Sequence, residues 1–164
     1  LCSQADPPSA GGLLSFVRFQ ETAVASTGQQ TGMRGVYLVA AELSRLGLIA
    51  SPTSRSAIGA DILVTDQLCS RSFSVQVKTN AKTFNFWLVG KKAQEMVSLT
   101  HIYVFVNLRE KKDGEVIEYY IVPSSVVAKK TRYGKAKTTG SEWYSFYLED
   151  ALEYKNKWSV FLNA

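Results

Sequence analysis

The sequence predicts an α/β domain in which a central mixed sheet is flanked by helices. Three observations predict it. Val36, Val39, Ala40, Leu43 and Leu46 recur at helical spacing in "TGMRGVYLVAAELSRLG". The run "SFSVQVKT" alternates apolar and polar residues as a half-buried strand does. The run "HIYVFVNL" is apolar on both faces, the pattern of a strand covered from both sides. Helix and strand signals are interspersed along the chain, which points to one layered domain.

The elements follow in order. Residues 1–30 hold the breaker cluster "DPPSAGG" and the polar "ASTGQQ". They read as an N-terminal extension, part of which could be disordered, with residues 31–164 forming a single domain. The first helix runs from Thr31 to a glycine cap at Gly47. A short strand, "LIAS", leads into the polar loop "PTSRSAIG". "ADILVTD" and "SFSVQVKT" are strands joined through "QLCSR", and "FNFWLVG" adds another. Phe84 and Phe86 share one face of that added strand, and core packing is their expected role, with stacking on unpaired bases the alternative. "KKAQEMVSL" reads as a helix. "HIYVFVNL" and "EVIEYYIVP" form a pair across an Asp-Gly turn. "SSVVAKK" and "LEDALEYKNKW" are the last helices, and Trp143, Tyr144 and Trp158 are expected to pin the C-terminal one to the sheet.

The chain has 164 residues, two cysteines and one histidine. That length suits one domain with a real core. The cysteines lack metal-ligand spacing and read as free thiols of a reducing compartment, the cytoplasm. A single histidine, His101, leaves no basis for a histidine metal cluster or a Ser/His triad. The chemistry left is that of carboxylates, amides, hydroxyls and lysine. No apolar run is long enough to span a bilayer, and the N-terminus does not resemble a secretory signal. The net charge of +5 suits a polyanionic partner. "KKTRYGKAK" gathers Lys129, Lys130, Arg132, Lys135 and Lys137 without an intervening acid. It is either a solvated loop or one that contacts phosphates. Arg55, before Asp61, and Lys91 with Lys92, before the second helix, are further candidates for phosphate contact.

The stretch from Gly59 to Asn80 carries the chemistry. Folded as an antiparallel hairpin about Leu68 and Cys69, it sets Asp61 opposite the region of Gln76 to Lys78. Facing Cβ atoms in such a pair lie roughly 5 Å apart. One explanation is an ion pair between Asp61 and Lys78 at a sheet edge, contributing only ~0–1 kcal/mol, with Gln76 solvated. The other is a divalent-cation site. There Asp61, the Gln76 side-chain oxygen and the Val77 carbonyl are oxygen donors, and Lys78 sits beside a phosphate and its attacking water.

"GADILV…FSVQVK", with the leading "GMRG" helix, resembles the D…(E/Q)-x-K signature of the PD-(D/E)xK nuclease superfamily, from Thr31 to Pro123. The Gln form is similar to the Mrr-like branch, and the whole looks most like small stand-alone bacterial members and Holliday-junction resolvases. The resemblance implies a restriction-endonuclease-like core ordered helix-strand-strand-strand-helix-strand. It implies hydrolysis of DNA phosphodiester bonds with Mg²⁺ or Mn²⁺, with Asp61, Gln76 and Lys78 catalytic and Asp61, Gln76 and Val77 at the metal. DNA is the implied partner, a homodimer is compatible with it, and a membrane is not. Many relatives carry a helix Glu just after a Gly. Here Val36 follows Gly35, and Glu42 faces another way. A catalytically silent nucleic-acid-binding domain is therefore a second reading, and a partner-binding accessory protein a third.

Overall fold

A computed structural model describes residues 28–54 and 58–162. The first helix, α1, spans Gly28–Arg45 and begins three residues before the expected start, so residues 28–30 belong to it. Its buried stripe is Gly35, Val36, Val39 and Leu43. It ends as the apolar period ends. Gly47 takes φ 81°, its N–H bonds to the Ser44 carbonyl at 2.9 Å, and the Leu48 N–H bonds to the Leu43 carbonyl at 3.1 Å. That pair of bonds is the Schellman closure, which a glycine allows without a Cβ penalty.

The central sheet is built from β1 (Ile49–Pro52), β2 (Ile62–Thr65), β3 (Ser72–Asn80), β5 (His101–Lys111) and β6 (Gly114–Pro123). Their spatial order is β1-β2-β3-β5-β6, with β3 and β5 parallel and the other neighbours antiparallel. The expected mixed sheet with helices flanking it is therefore present. Residues 101–108 of β5 are all buried, as a strand covered on both faces must be. On one face Val75, Val77, Val104 and Val106 meet α1, with Trp158 and Phe161 from the C-terminal turn. On the other, Tyr103, Phe105 and Tyr120 meet Trp87 and Phe146.

That second face departs from expectation. The added strand, β4 (Phe86–Leu88), leaves the main sheet and pairs with β8 (Glu142–Tyr147), which also pairs with β7 (Arg132–Lys135). The three form a small sheet of their own. Within β4 the expected faces are exchanged: Trp87 is buried and donates Nε1–H to the Val106 carbonyl at 3.2 Å, while Phe84, just before the strand, is half exposed. The expected helix at "KKAQEMVSL" shrinks to one 3₁₀ turn, Lys91–Gln94. Lys91 and Lys92 stand at its positive end and no side chain caps it. Downstream, Ser98 is pinned by reciprocal bonds with Ser124, and the chain must already be extended to enter β5. "SSVVAKK" does form α2 (Ser124–Lys130). The expected helix at "LEDALEYKNKW" is only the short α3 (Leu148–Ala151) followed by 3₁₀ turns. Among the described residues no helix is long and apolar enough to cross a membrane.

The contact that seats α1 is backbone against side chain. A Cβ built on Gly35 would stand 1.8 Å from Thr79 Oγ1 and 2.9 Å from Thr79 Cβ, so only glycine lets the helix lie this close to β3. Gly35→Ala should therefore cost about 1–3 kcal/mol by overpacking, despite alanine's better helix propensity. Urea unfolding measures it, and a neutral or stabilising result would contradict the packing described.

Candidate functional site

The hairpin register places the polar residues. Ile62 faces Val75 and Thr65 faces Ser72, so Asp61, the residue just before β2, stands beside Val75 and Gln76. The turn is closed by the Asp66 carboxylate, which accepts from the Ser70 backbone and hydroxyl, and Cys69 takes φ 54° within it. Asp61 itself is held at both backbone ends. Its N–H bonds to the Val75 carbonyl at 2.8 Å, and its carbonyl accepts from the Thr53 N–H at 2.9 Å.

β3 continues past the start of β2, so from Val77 onward its edge on that side has no strand partner among the described residues. The Asp61 side chain takes over that pairing. Its Oδ2 accepts the Val77 N–H at 2.8 Å and the Gln76 Nε2–H at 2.8 Å. A carboxylate only accepts, so Gln76 must present its NH₂ to it and turn its carbonyl oxygen elsewhere. Within a strand residue, N–H and C=O point to the same side, so the Val77 carbonyl also faces the unpartnered edge. Among the described residues Asp61 Oδ1 has no hydrogen-bond partner.

Asp61, Gln76, Val77 and Lys78 line one cavity of about 190 Å³. That is room for about six waters at ~30 Å³ each. Thr53 lines it from the strand side, and Gly28, Gln29, Gly32, Met33 and Val36 from α1. The arrangement can hold a hydrated cation and a phosphate oxygen. The helix wall went unrecognised in sequence because residues 28–30 read as extension. Its signal is the spacing of Gly28, Gly32 and Val36, four apart on one helix face. That wall brings no carboxylate: Val36 is packed in the core, and Glu42 is engaged by Arg45 at 2.9 Å on the solvent side. Among the described residues no group of three His, Cys, Asp or Glu side chains gathers to hold a metal. The oxygen set here is one carboxylate with amide and backbone carbonyls. His101 is buried with Nδ1 2.8 Å from the Ser74 hydroxyl, and burial lowers its pKa.

The basic candidates fall into different settings. "KKTRYGKAK" is not a loop: it is the end of α2 followed by β7. Lys130 pairs with Asp150 at 3.2 Å, Arg132 with both Glu149 and Asp150, and Lys135 with Glu142 at 3.4 Å. Arg132 also lies 4.3 Å from the Tyr147 ring centroid. Lys91, Lys92, Lys129 and Lys137 are exposed and form no ion pair among the described residues. Arg55 lies outside the described residues.

No protein-family description matches the sequence, and no curated protein matches it. Among solved structures the chain is similar to a bacterial homing endonuclease, I-Ssp6803I. The TM-score is 0.52 at 12% identity, over 84% of this chain and 93% of that one. A likeness at that identity concerns the fold: this is a nuclease-like α/β fold.

The two bonds to Asp61 Oδ2 make a stability prediction. Asp61→Ala strands the Val77 and Gln76 donors and should cost about 1–2 kcal/mol, whereas Asp61→Asn, which keeps an acceptor, should cost less. Urea midpoints at matched m-values distinguish them, and equal or negligible losses would contradict the geometry.

Proposed function

We propose that this domain is a metal-dependent endonuclease of the PD-(D/E)xK type, with Gln in the third motif position, that hydrolyses DNA phosphodiester bonds. The observation that carries the reading is the meeting of Asp61, Gln76, Val77 and Lys78 in one small cavity at the unpartnered edge of β3. The likeness to a homing endonuclease fold supports it. Asp61 Oδ1 and the Val77 carbonyl are hard donors suited to Mg²⁺ or Mn²⁺, and turning over the Gln76 amide would bring its oxygen to them as a third. When bound, such a cation polarises a phosphoryl oxygen and acidifies coordinated water.

The chain's own residues do the rest. Lys78 presents an ammonium with three donors to the phosphate and the incoming water, and offsets the negative charge that grows as the bond to phosphorus forms. Gln76 holds the Asp61 carboxylate in place through Nε2, so the acceptor geometry is set before substrate arrives. The α1 wall, with Met33 and Val36, closes one side of the hollow. Lys91, Lys92, Lys129 and Lys137 are available to the DNA backbone, each expected to act as a salt-sensitive phosphate contact.

One observation favours a second reading. Among the described residues Asp61 is the only carboxylate lining the cavity, and metal affinity rises with ligand charge. A DNA-binding domain that has lost hydrolysis would have this donor set. A single experiment separates the two: nicking and linearisation of plasmid and oligonucleotide DNA in millimolar Mg²⁺ or Mn²⁺. The nuclease reading predicts metal-dependent cleavage that EDTA abolishes and that falls about 10²–10³-fold in Lys78→Ala and further in Asp61→Ala. Salt-sensitive binding with no cleavage in either metal would establish the silent domain instead.

A further inference from the structure

Lys78 also borders a second hollow, of about 440 Å³, whose other walls are Thr79, Asn80, Phe84, Phe86, Trp87 and Leu88. Its lining is apolar and aromatic, yet it is not core. Phe84, just before β4, is 51% exposed, and Leu88, at the end of β4, is 60% exposed. Two large apolar side chains left open beside Lys78 are more informative than scattered surface apolar residues.

The hollow is also built in advance. Asn80, itself buried, donates Nδ2–H to the Phe84 carbonyl at 3.1 Å and to the Phe86 carbonyl at 3.3 Å, and its Oδ1 accepts the Lys82 N–H at 2.9 Å. From β5, Arg109 donates to the Lys82 carbonyl and, at 3.0 Å, to the Phe84 carbonyl. The backbone carrying Phe84 is thus tied down while its ring stays accessible. Phe84 and Phe86 lie 5.6 Å apart between centroids, and the Lys82 ammonium sits 6.0 Å from the Phe84 ring centre. Among the described residues no acid lines the hollow, and neither Lys78 nor Lys82 has a carboxylate partner.

An exposed aromatic face rimmed by unneutralised cations suits a flat π-system carried on an anionic backbone, which is a nucleobase. A base inside a duplex has both faces covered by its neighbours, so only an unpaired base can use Phe84. We propose that this hollow receives an unpaired nucleobase of the DNA strand whose phosphate meets Lys78, stacked on Phe84. The proposal rests on the reading of the Asp61–Lys78 cavity as the phosphate site. It assigns the substrate class as DNA with a base out of the stack beside the target bond: a bulge, a mismatch, a junction or a single-stranded flank.

The test measures binding in EDTA, so that cleavage plays no part. The intact chain is titrated with a fully paired duplex and with the same duplex carrying one unpaired 2-aminopurine, followed by anisotropy and by 2-aminopurine emission. The wild-type chain should bind the second duplex about tenfold more tightly and quench its probe. Phe84→Ala should abolish that preference while leaving affinity for the paired duplex within about twofold, and Phe84→Trp should restore it. Equal affinity for the two duplexes, no binding to either, or a preference that survives Phe84→Ala overturns the proposal. A chain that cleaves without the preference loses only this hollow. One that shows the Phe84-dependent preference and never cleaves loses only hydrolysis.

Discussion

The Asp61 carboxylate substitutes for a missing strand. Where β2 stops and β3 goes on, a backbone N–H at Val77 would otherwise lack a partner at the sheet edge, and Asp61 Oδ2 supplies one. The same oxygen orients Gln76. From this single substitution follow the position of the carboxylate, the outward Val77 carbonyl and the neighbouring Lys78. α1 can close the hollow from the far side only because Gly35 lets it lie directly on Thr79. The site is thus made by an end effect in the sheet, stabilised by a residue that also carries its charge. Structural and chemical roles are joined in Asp61, which is why replacing it must be read in stability as well as in activity.

Charge is distributed more selectively than the net balance of +5 suggests. The segment with the greatest density of basic residues is largely neutralised in place: Glu142, Glu149 and Asp150 engage Lys135, Arg132 and Lys130. These are surface pairs that add little stability, but they take local positive charge away from an incoming polyanion. Lys78 and Lys82, by contrast, have no such partner among the described residues; Lys78 borders both hollows and Lys82 stands over the Phe84 ring. Uncompensated charge next to fixed aromatic surface is a better guide to a binding face than the number of lysines in a run.

Much of this was legible in the sequence, for local reasons. A two-residue period and a polar turn determine a hairpin register, so the approach of Asp61 to Gln76 could be derived. The α1 stripe ending at Gly47 and the doubly apolar β5 were equally readable. What was not legible depends on partners distant in the chain. Alternation shows that Phe84 and Phe86 share a face but not which face is covered; Trp87 is inside because β4 joins β8, about sixty residues later, over Phe105 and Tyr120. The helix expected after Gly90 had apolar spacing but lacked a cap and was cut short by the Ser98–Ser124 tie. The carboxylates that neutralise the basic segment come from β8 and α3, outside any local window. The α1 wall was hidden by a boundary placed three residues too late.

The central claim is that the β3 edge beside Asp61 is a cation site. A crystal soaked in Mn²⁺ and measured at the manganese edge tests it most directly. The account predicts an anomalous peak within about 2.0–2.3 Å of both Asp61 Oδ1 and the Val77 carbonyl oxygen, lost in Asp61→Asn. A saturating soak with no peak there, or with manganese bound only at other surface carboxylates, would contradict it.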